Sequence, residues 1–551
     1  MKIQGRILSV FLLSLLLSLA GQAQEIHYRV LKKVLHTIDP RLFGSFMERL
    51  SDGGGGPEGA LVPGTHQLQS GVVKLLNEMQ IPIVRFPGGT DVDYLDWRDM
   101  ISNVPGRGAN RPVSTGQNNV EVTNNFGYDE FLQLRQRLGW EAILVVNFRD
   151  GLLKVKPIEE AARQAAGLVA YCNAPVGAKL PDGMPDWPAI RAKNGYPAPF
   201  KVKYWQIGNE TWFFEKQVAT LAPDNADAYY AECVLAYVRA MLAVDPTLEF
   251  IVDGGNGGEL ARQQMPKQIR HLVFHIYQPW AIKEALRNGE PVPFETLSDA
   301  EIWRAWVATP GFNKQGLSVF HDKLIAKARQ HGTKVAVTEW NWLGWWHGGN
   351  AALDSHFVRG VGAAGFVHAL MRDGDVIEIG CQSDVLGHVK AFHAIVADIE
   401  GLDDPYYMPS GQVMELYTAH HGSKMLALKA TGVPTYEQPL QLGGIRPQTK
   451  VSYLDALVTA DDNAVYFHVI NRHFDEAMTM TLDTTACGPL ESRARLFVLE
   501  GRLEDQPAPG EPVQIGHITE SAIPGGPVIT LRVPARSVSC LEMPRRLAQK
   551  E

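Results

Sequence analysis

Two glutamates end apolar segments of the chain in a pattern that suits nucleophilic and acid–base chemistry. Glu210 follows the segment Val202–Gly208, and Glu339 closes the segment Lys334–Glu339. If both segments are strands that end at one rim, the two carboxyl groups can face each other across a cleft. Glycosidic cleavage uses such a pair, because one carboxylate attacks the anomeric carbon while the other carboxyl group protonates the leaving oxygen. The alternative is that each glutamate is an ordinary rim carboxylate in a salt bridge.

Further polar side chains end neighbouring segments of the same kind. Arg85 offers a fixed fork of donors that can keep a carboxylate ionised. Tyr277 can donate a hydrogen bond to Glu339, and Asn209 adjoins Glu210 and can reach a neighbouring hydroxyl of a substrate. The other candidate binding residues at these ends are Glu48, Thr90, His275, Trp340 and Gln382.

The spacing of the apolar segments predicts the scaffold that positions these residues. Between residues 40 and 408, eight short apolar segments alternate with stretches of helical periodicity. This pattern favours a (β/α)8 barrel, in which functional residues lie at the carboxyl ends of the strands. An open doubly wound sheet is the alternative, but Gly53–Gly56 lacks the spacing of a phosphate-binding loop. The predicted strands are Phe43–Glu48, Ile81–Pro87, Ala142–Phe148, Val202–Gly208, Glu249–Gly254, Leu272–Tyr277, Lys334–Glu339 and Ile377–Gln382.

Helical periodicity between these strands predicts helices that cover the barrel. They fall over 72–79, 127–138, 158–172, 226–243, 317–331, 357–372 and 389–400.

The pattern changes beyond residue 408. Short alternating strands separated by Gly, Pro and Asp clusters predict an all-β sandwich over 409–551, with no helix of useful length. The segment 24–39, which precedes the barrel, is a candidate strand of this sandwich.

The first residues have the composition of a targeting segment. Lys2 and Arg6 precede an apolar run, and small residues follow it up to Ala23. This predicts a signal peptide over 1–23 and export to the periplasm or the exterior. An uncleaved anchor is the alternative, but the run is short for a bilayer. No later segment is apolar enough to span a membrane.

Composition narrows the classes of function. The chain has 551 residues, of which 45% are hydrophobic and 20% charged, as in an ordinary globular protein of several domains. The net charge of -8 argues against a nucleic-acid partner. The five cysteines form no C-x-x-C pair, and no histidine pair has metal-ligand spacing, so we expect neither a metal nor another cofactor. Cys381 is expected to be a small buried apolar residue.

The motifs together resemble a known family. R-F-P-G-G-T, W-Q-I-G-N-E, H-I-Y, T-E-W-N-W and C-Q-S are similar to motifs of glycoside hydrolase family 51, the α-L-arabinofuranosidases, within clan A of the retaining glycosidases. The resemblance implies that Glu210 is the acid/base and Glu339 the nucleophile. It further implies that Asn209 binds the sugar 2-hydroxyl, Arg85 supports Glu339 and Tyr277 orients it. By the same resemblance, Glu48 and Gln382 hold furanose hydroxyls.

One position departs from the family pattern. The family usually has Asn where this chain has Thr90, which keeps a hydroxyl but lacks the amide donor. The expected sugar is α-L-arabinofuranose, with galactofuranose or another pentose as alternatives. Asp91 and Asp93, which follow, are either sugar ligands or carboxylates that cap the loop.

Aromatic residues near the motifs admit two interpretations. They either stack on sugar rings or pack the barrel rim, and the residues concerned are Trp97, Trp212, Phe213, Phe214, Trp342, Trp345 and Trp346.

The sequence thus predicts an exported retaining hydrolase that releases terminal furanosyl groups from glycan side chains. The alternatives are an endo-acting glycanase of the same clan, such as an endoglucanase or xylanase, and a non-catalytic sugar-binding barrel. An oligomer is compatible with the family, but no segment of the sequence reads as an interface.

Overall fold

A computed structural model of the chain describes residues 25–49, 56–308, 323–346, 355–388, 393–398, 404–506 and 515–546. The predicted targeting segment 1–23 lies outside the described residues. Among the described residues, no helix combines the length and the apolar character that a membrane span requires.

Eight parallel strands close into a barrel, so the predicted fold class is confirmed. Each predicted strand contains or overlaps an observed one, because short apolar runs rich in β-branched and aromatic residues fill the two-sided buried environment of a parallel barrel. The first to eighth barrel strands are Gly44–Phe46, Ile83–Phe86, Glu141–Val146, Tyr204–Ile207, Glu249–Asp253, Ile269–Tyr277, Lys334–Asn341 and Ile377–Gln382.

Helices cover the outside of the barrel. The longest helix between the third and fourth barrel strands is Ile158–Asn173. Glu159 and Glu160 lie in its first turn, where negative charge interacts favourably with the positive end of the helix dipole, and its buried face is rich in alanine. The α-helices in the described part of the chain are Ser70–Glu78, Tyr128–Leu138, Arg149–Leu152, Ile158–Asn173, Trp187–Lys193, Glu215–Leu221, Ala226–Leu242, Asn256–Gln264, Asp299–Val307, Lys323–His331, His356–Arg372 and Pro409–Ala419. The 3-10 turns are Pro40–Phe43, Gly56–Ala60, Thr90–Asp93, Trp97–Met100, Gln117–Asn119, Thr211–Phe214, Phe294–Thr296 and Thr485–Cys487.

Two helix predictions are wrong. Within 389–400, the described residues contain the short strand Ile395–Val396, which pairs with Leu386–Gly387 and Tyr406–Tyr407. Beyond residue 408, where no helix was expected, Pro409–Ala419 forms one and completes the helical layer beside His356–Arg372. Pro409 at its first position suits a helix start, because the missing N–H of proline has no intrahelical partner there.

The C-terminal region is built on a nine-stranded sheet. The segment Ile26–Thr37 lies within this sheet, antiparallel to Lys424–Thr431 and parallel to Met478–Asp483. Tyr28 packs against Phe467 three strands away, with ring centroids 5.3 Å apart, so the sheet folds over a shared apolar core. The strands in sheet order are His517–Pro524, Arg493–Glu500, Ser537–Pro544, Ala464–Asn471, Leu454–Ala460, Lys424–Thr431, Ile26–Thr37, Met478–Asp483 and Val528–Val533.

Buried charges join the sheet to the barrel. Asp455 of the sheet bonds Arg372 at the end of a barrel helix, and Arg472 Nη2 lies 2.7 Å from Asp455 Oδ2. The Trp303 indole of another barrel helix donates to the Arg472 carbonyl at 2.8 Å. These contacts fix the sheet against the outer helices of the barrel.

Candidate active site

An apolar plug fills the lower barrel, and a polar layer lies above it. Interior side chains of all eight strands form the plug: Phe46, Ile83, Ile143, Tyr204, Ile251, Val273, Ala336, Ile379 and Cys381. Cys381 is buried there, and burial raises the pKa of its thiol to about 12, so it stays a neutral thiol. The next inward positions toward the carboxyl ends carry the charged residues, as expected for a barrel whose upper face forms a site.

Arg85 is the hub of the polar layer. Its guanidinium is fully buried and stacks over the Phe46 ring, with Cζ 4.4 Å from the centroid. Nη1 donates to Glu339 Oε1 at 2.9 Å, and Nη2 donates to Asn209 Oδ1 at 2.6 Å. Nε donates to Gln206 Oε1 at 2.8 Å. The planar fork therefore fixes the seventh-strand glutamate relative to the residue that precedes Glu210.

A β-bulge aims Glu339 into the barrel. Val337 pairs with Phe274 and Glu339 pairs with His275, so Thr338 is an extra residue in the seventh strand. Side chains alternate between the two faces of a strand, so one inserted residue exchanges the faces of all residues after it. Val337 faces the helices, and the bulge lets Glu339 face the mouth.

The structure brings Glu210 and Glu339 together. His275 lies between them, with Nδ1 3.0 Å from Glu210 Oε1 and 3.4 Å from Glu339 Oε2. An oxygen of each glutamate and a nitrogen of His275 all lie within 4.8 Å of one another. Thr338 Oγ1 holds the other ring nitrogen of His275 at 2.8 Å. This separation is close to the 5–5.5 Å or so of retaining glycosidases and shorter than the roughly 6.5–9.5 Å of inverting ones.

The environment favours the ionised form of Glu339. Burial would raise the pKa of this carboxyl, but the charges of His275 and Arg85 and the hydrogen bond from Tyr277 bring the pKa below its ordinary value. Tyr277 donates to Glu339 Oε2 at 2.7 Å, and its oxygen also lies 2.7 Å from Ser383 Oγ. An anionic, oriented carboxylate at this position suits a nucleophile.

Replacing Tyr277 by phenylalanine is expected to move the acidic limb of the kcat/KM profile to higher pH. The lost hydrogen bond stabilises the ionised carboxylate, so its removal raises the pKa of Glu339, and the active anion disappears at a higher pH than in the wild type. The measurement is a pH–rate profile on an activated aryl glycoside. Tyr436→Phe, which removes a buried hydroxyl bonded to the Arg304 carbonyl, is the matched control. An unmoved acidic limb in Tyr277→Phe would contradict the role assigned to this hydrogen bond.

Glu48 approaches the same mouth from the first strand. A Cβ on Gly89 would lie 1.5 Å from Glu48 Oε1, so only glycine, here at φ 64°, allows this approach. Burial and the negative charges of Asp384 and Glu339 raise the pKa of Glu48 well above its ordinary value. A protonated carboxyl at this position could donate a hydrogen bond as well as accept one. Thr90, the next residue after Gly89, is half-buried at the start of its 3-10 turn.

One of the predicted binding residues, Trp340, is not brought to the mouth. Trp340 follows Glu339 on the opposite face and stacks on Phe366 of a covering helix, with ring centroids 5.4 Å apart. Gln382 ends the eighth strand fully buried, and neither atom of its side-chain amide has a hydrogen-bond partner among the described residues. The next residue, Ser383, contacts Tyr277. Sequence reasoning assigned no role to Ser383 or Thr338, although Ser383 is the S of C-Q-S and Thr338 is the T of T-E-W-N-W.

The aromatic residues divide between core and rim. Trp97 packs against Trp187 at 4.8 Å between ring centroids, and Trp342 packs against Trp306 at 5.3 Å, so both belong to the core. Trp212 meets the His275 ring edge-on at 5.2 Å, and the next residue, Phe213, is 64% exposed. Phe214 is buried. The side chains of Trp345 and Trp346 and the residues Gly53–Gly55 lie outside what the structure describes.

Asn209 has an unused donor in the polar layer. Its Oδ1 accepts from Arg85, but its buried Nδ2 has no hydrogen-bond partner among the residues that the structure describes. Buried polar atoms are nearly always paired, and an exception calls for a ligand or a water. A hydroxyl group of a bound sugar would satisfy this donor.

The same three residues have the atom types of a metal site. Glu210, His275 and Glu339 form a group of metal-ligand side chains in the described part of the chain. The Arg85 guanidinium donates a hydrogen bond to one carboxylate oxygen of Glu339, and the Tyr277 hydroxyl donates to the other. A cation at this position would be repelled by Arg85, so we interpret the cluster as a hydrogen-bonded acid–base group.

Fold and site together define a class: a (β/α)8 barrel with a facing glutamate pair above an arginine hub.

Comparison with known proteins agrees with this class. The family model described as the alpha-L-arabinofuranosidase 1 domain matches residues 75–285. An "intracellular exo-alpha-(1->5)-L-arabinofuranosidase" of Halalkalibacterium halodurans is 28% identical over 41% of this chain and 41% of its own length. A "probable alpha-L-arabinofuranosidase C" of Aspergillus niger is 31% identical over 40% of each.

A solved structure extends the likeness to nearly the whole chain. The GH51 α-L-arabinofuranosidase of Thermotoga petrophila RKU-1 superposes with a TM-score of 0.68 at 22% identity, over 94% of this chain and 99% of that one. This structure shows a shared fold, and the predicted resemblance to the α-L-arabinofuranosidases is confirmed by the family model and the curated relatives over the part of the chain that they match. The chain spans about two fifths of the length of the curated relatives it matches.

Proposed function

We propose that this protein is a retaining exo-acting glycoside hydrolase that releases terminal α-L-arabinofuranosyl groups from glycan side chains. The observation that carries the proposal is the close, bridged pair of Glu210 and Glu339, whose oxygens lie within 4.8 Å. The likeness to named arabinofuranosidases supports the choice of sugar.

In the proposed mechanism, the ionised Glu339 attacks the anomeric carbon and forms a glycosyl ester. Glu210 donates its proton to the departing glycosidic oxygen in the same step. In the second step Glu210 takes a proton from water, the water oxygen bonds the anomeric carbon, and the Glu339 ester bond breaks. Two inversions retain the anomeric configuration.

The other residues act on this sequence through charge and hydrogen bonding. Arg85 and Tyr277 hold Glu339 ionised and oriented. The free Nδ2 of Asn209 binds the sugar 2-hydroxyl, a contact that can strengthen as the oxocarbenium ion develops. Glu48 binds a further hydroxyl at the opposite side of the mouth.

Product analysis on a panel of aryl glycosides tests the proposal. We expect hydrolysis of the α-L-arabinofuranoside, with the α-anomer as the first product seen by NMR. Faster hydrolysis of a galactofuranoside would reassign the sugar, in line with Thr90. Cleavage of internal polysaccharide bonds would favour the endo-acting alternative. Sugar binding without turnover of any substrate would favour a binding protein.

We also propose export through residues 1–23. The support is the basic start at Lys2 and Arg6, the apolar run and the small residues up to Ala23. N-terminal sequencing of protein recovered from the periplasm or medium is expected to begin at Gln24. Full-length protein confined to the cytoplasm would contradict export.

A further inference from the structure

The main chain at Glu210 has an unusual conformation. Glu210 lies in the left-handed region, at φ 48° and ψ 44°, between the fourth barrel strand and the turn Thr211–Phe214. Residues other than glycine, asparagine and aspartate rarely occupy this region, and they keep it only where the surroundings enforce it. The groups that hold the peptide units on both sides of Glu210 therefore determine where its carboxyl group stands.

Asp93 holds the Gly208–Asn209 peptide unit, which precedes the Asn209–Glu210 unit. Its Oδ2 accepts the Asn209 N–H at 2.9 Å. Its Oδ1 accepts the N–H groups of Phe148 and Arg149 at 2.7 and 3.1 Å, at the end of the third strand. The side chain is 1% exposed, so Asp93 is not a sugar ligand but a buried brace between two strand ends.

Asp253 holds the peptide unit after Glu210. It ends the fifth barrel strand, and its Oδ2 accepts the Thr211 N–H at 2.6 Å. The Thr211 hydroxyl bonds the same oxygen and lies 2.8 Å from the Tyr230 hydroxyl. Glu210 is thus flanked by two N–H groups that point to carboxylates from different strands.

Neither carboxylate has a Lys or Arg partner among the ion pairs of the described residues. Burying a carboxylate without a cation is costly, so main-chain donors must stabilise it. Burial raises the pKa of both Asp93 and Asp253 to about 6, although their hydrogen bonds with main-chain N–H groups act in the opposite direction. Together the two carboxyl groups fix the direction of the Gly208–Asn209 and Glu210–Thr211 peptide groups, which lie on either side of the Asn209–Glu210 bond.

We propose that Asp93 and Asp253 are positioning residues that clamp the Asn209–Thr211 main chain and so place the Glu210 carboxyl at the glycosidic oxygen. The proposal rests on the role of Glu210 as the general acid. It separates these aspartates from the sugar-binding residues, because they act on Glu210 through its neighbouring peptide units.

Asp93→Asn and Asp253→Ala test the clamp. Asp93→Asn removes the charge and one of two occupied acceptors at constant size. Asp253→Ala removes the whole carboxyl group, because both Thr211 contacts use Oδ2 and an asparagine could keep its single oxygen there. The assay is kcat/KM for aryl α-L-arabinofuranosides of decreasing leaving-group ability. General acid catalysis is worth roughly 10²–10⁴-fold, and only poor leaving groups need it. We expect rates within about threefold of wild type for the best leaving group and a loss of on the order of 10²-fold for the worst.

Asp129→Asn is the matched control. Asp129 is also a buried carboxylate, accepts the Ser102 N–H at 3.0 Å and pairs with Arg111, away from the barrel mouth. We expect it to lower the melting temperature while leaving the leaving-group dependence as in the wild type. Equal rate losses on all substrates in Asp93→Asn and Asp253→Ala, as from a merely structural role, would overturn the proposal.

A crystal structure of each variant gives a readout that needs no substrate. We expect the Glu210 carboxyl to move away from His275, from which it lies 3.0 Å in the wild type. An unmoved Glu210 would also overturn the clamp. If the wild type hydrolyses no furanoside, the proposed function fails, whereas the position of Glu210 in the variants still decides the clamp.

Discussion

Replacing Glu339 by alanine is expected to lower kcat by on the order of 10⁴-fold or more, as removal of a catalytic nucleophile does in other enzymes. Glu339 is the carboxylate that Arg85 and Tyr277 hold ionised and oriented, with Nη1 at 2.9 Å and the phenol oxygen at 2.7 Å. Without it, no glycosyl ester can form. The measurement is steady-state hydrolysis of an aryl α-L-arabinofuranoside.

Azide distinguishes this role from that of a binding residue. A small anion can enter the space left by the missing carboxylate and attack the anomeric carbon from the same face. We therefore expect azide to restore turnover of Glu339→Ala and to give a glycosyl azide of inverted configuration.

Glu378→Gln is the control for Glu339→Ala. This glutamate lies near the start of the eighth strand, 3.0 Å from His271 and 3.2 Å from Lys334. Despite burial, its partners lower its pKa to about 2, so its ion pairs stabilise the fold above the ordinary glutamate pKa and are lost as pH falls toward 2. We expect lower stability at neutral pH with unchanged kcat. Near-normal kcat in Glu339→Ala itself would refute the nucleophile assignment.

Replacing Glu210 by alanine is expected to give a loss that depends on the leaving group. Glu210 supplies the proton of the departing oxygen, a contribution of roughly 10²–10⁴-fold where that oxygen is a poor leaving group. We expect the full loss on an arabinan or an alkyl glycoside and a smaller one on an activated aryl glycoside. The measurement is kcat/KM across both substrate types.

Glu215→Gln is the matched control for this change. Glu215 is exposed at the start of the helix that follows the Glu210 turn. Its replacement is expected to leave both substrate types unaffected. Normal turnover of activated and natural substrates by Glu210→Ala would show that another group is the acid.

Much of the site could be predicted because barrel geometry converts sequence position into spatial position. A polar residue that ends an apolar segment lies at the rim whichever strand it follows. This rule sufficed for Glu48, Arg85, Glu210, His275 and Tyr277. It gives the height of a residue in the barrel but not the face of the strand on which the residue lies.

The errors arise where that face or the element type depends on tertiary contacts. Trp340 was expected at the mouth, yet the pleat directs it to the covering helices, where it stacks on Phe366. The bulge at Thr338 has no signature in the sequence, because its cause is pairing with two neighbouring strands. The apolar residues around Ile395–Val396 have helical spacing, but a short apolar run of β-branched residues is also compatible with a strand. Pairing with Leu386–Gly387 and Tyr406–Tyr407 makes this segment a strand.

The same rule places Asp253 at the rim, because Asp253 lies at the end of a predicted strand, but it does not give the role of Asp253. Its partner Thr211 is distant along the chain. Asp93 was expected either to bind sugar or to cap its own loop. Its actual partner, the N–H of Asn209, comes from a different strand.

Because the seventh strand contains an extra residue, the face on which its glutamate lies depends on the number of residues in the strand as well as on their types. If Thr338 occupied a regular position in the strand instead of a bulge, Glu339 would point among the covering helices and Trp340 would face the mouth. A gap placed within this strand in a sequence alignment would therefore align the reactive carboxylate of one protein with a packing residue of another. Such alignments should be fixed at Glu339, which the contact with Tyr277 identifies.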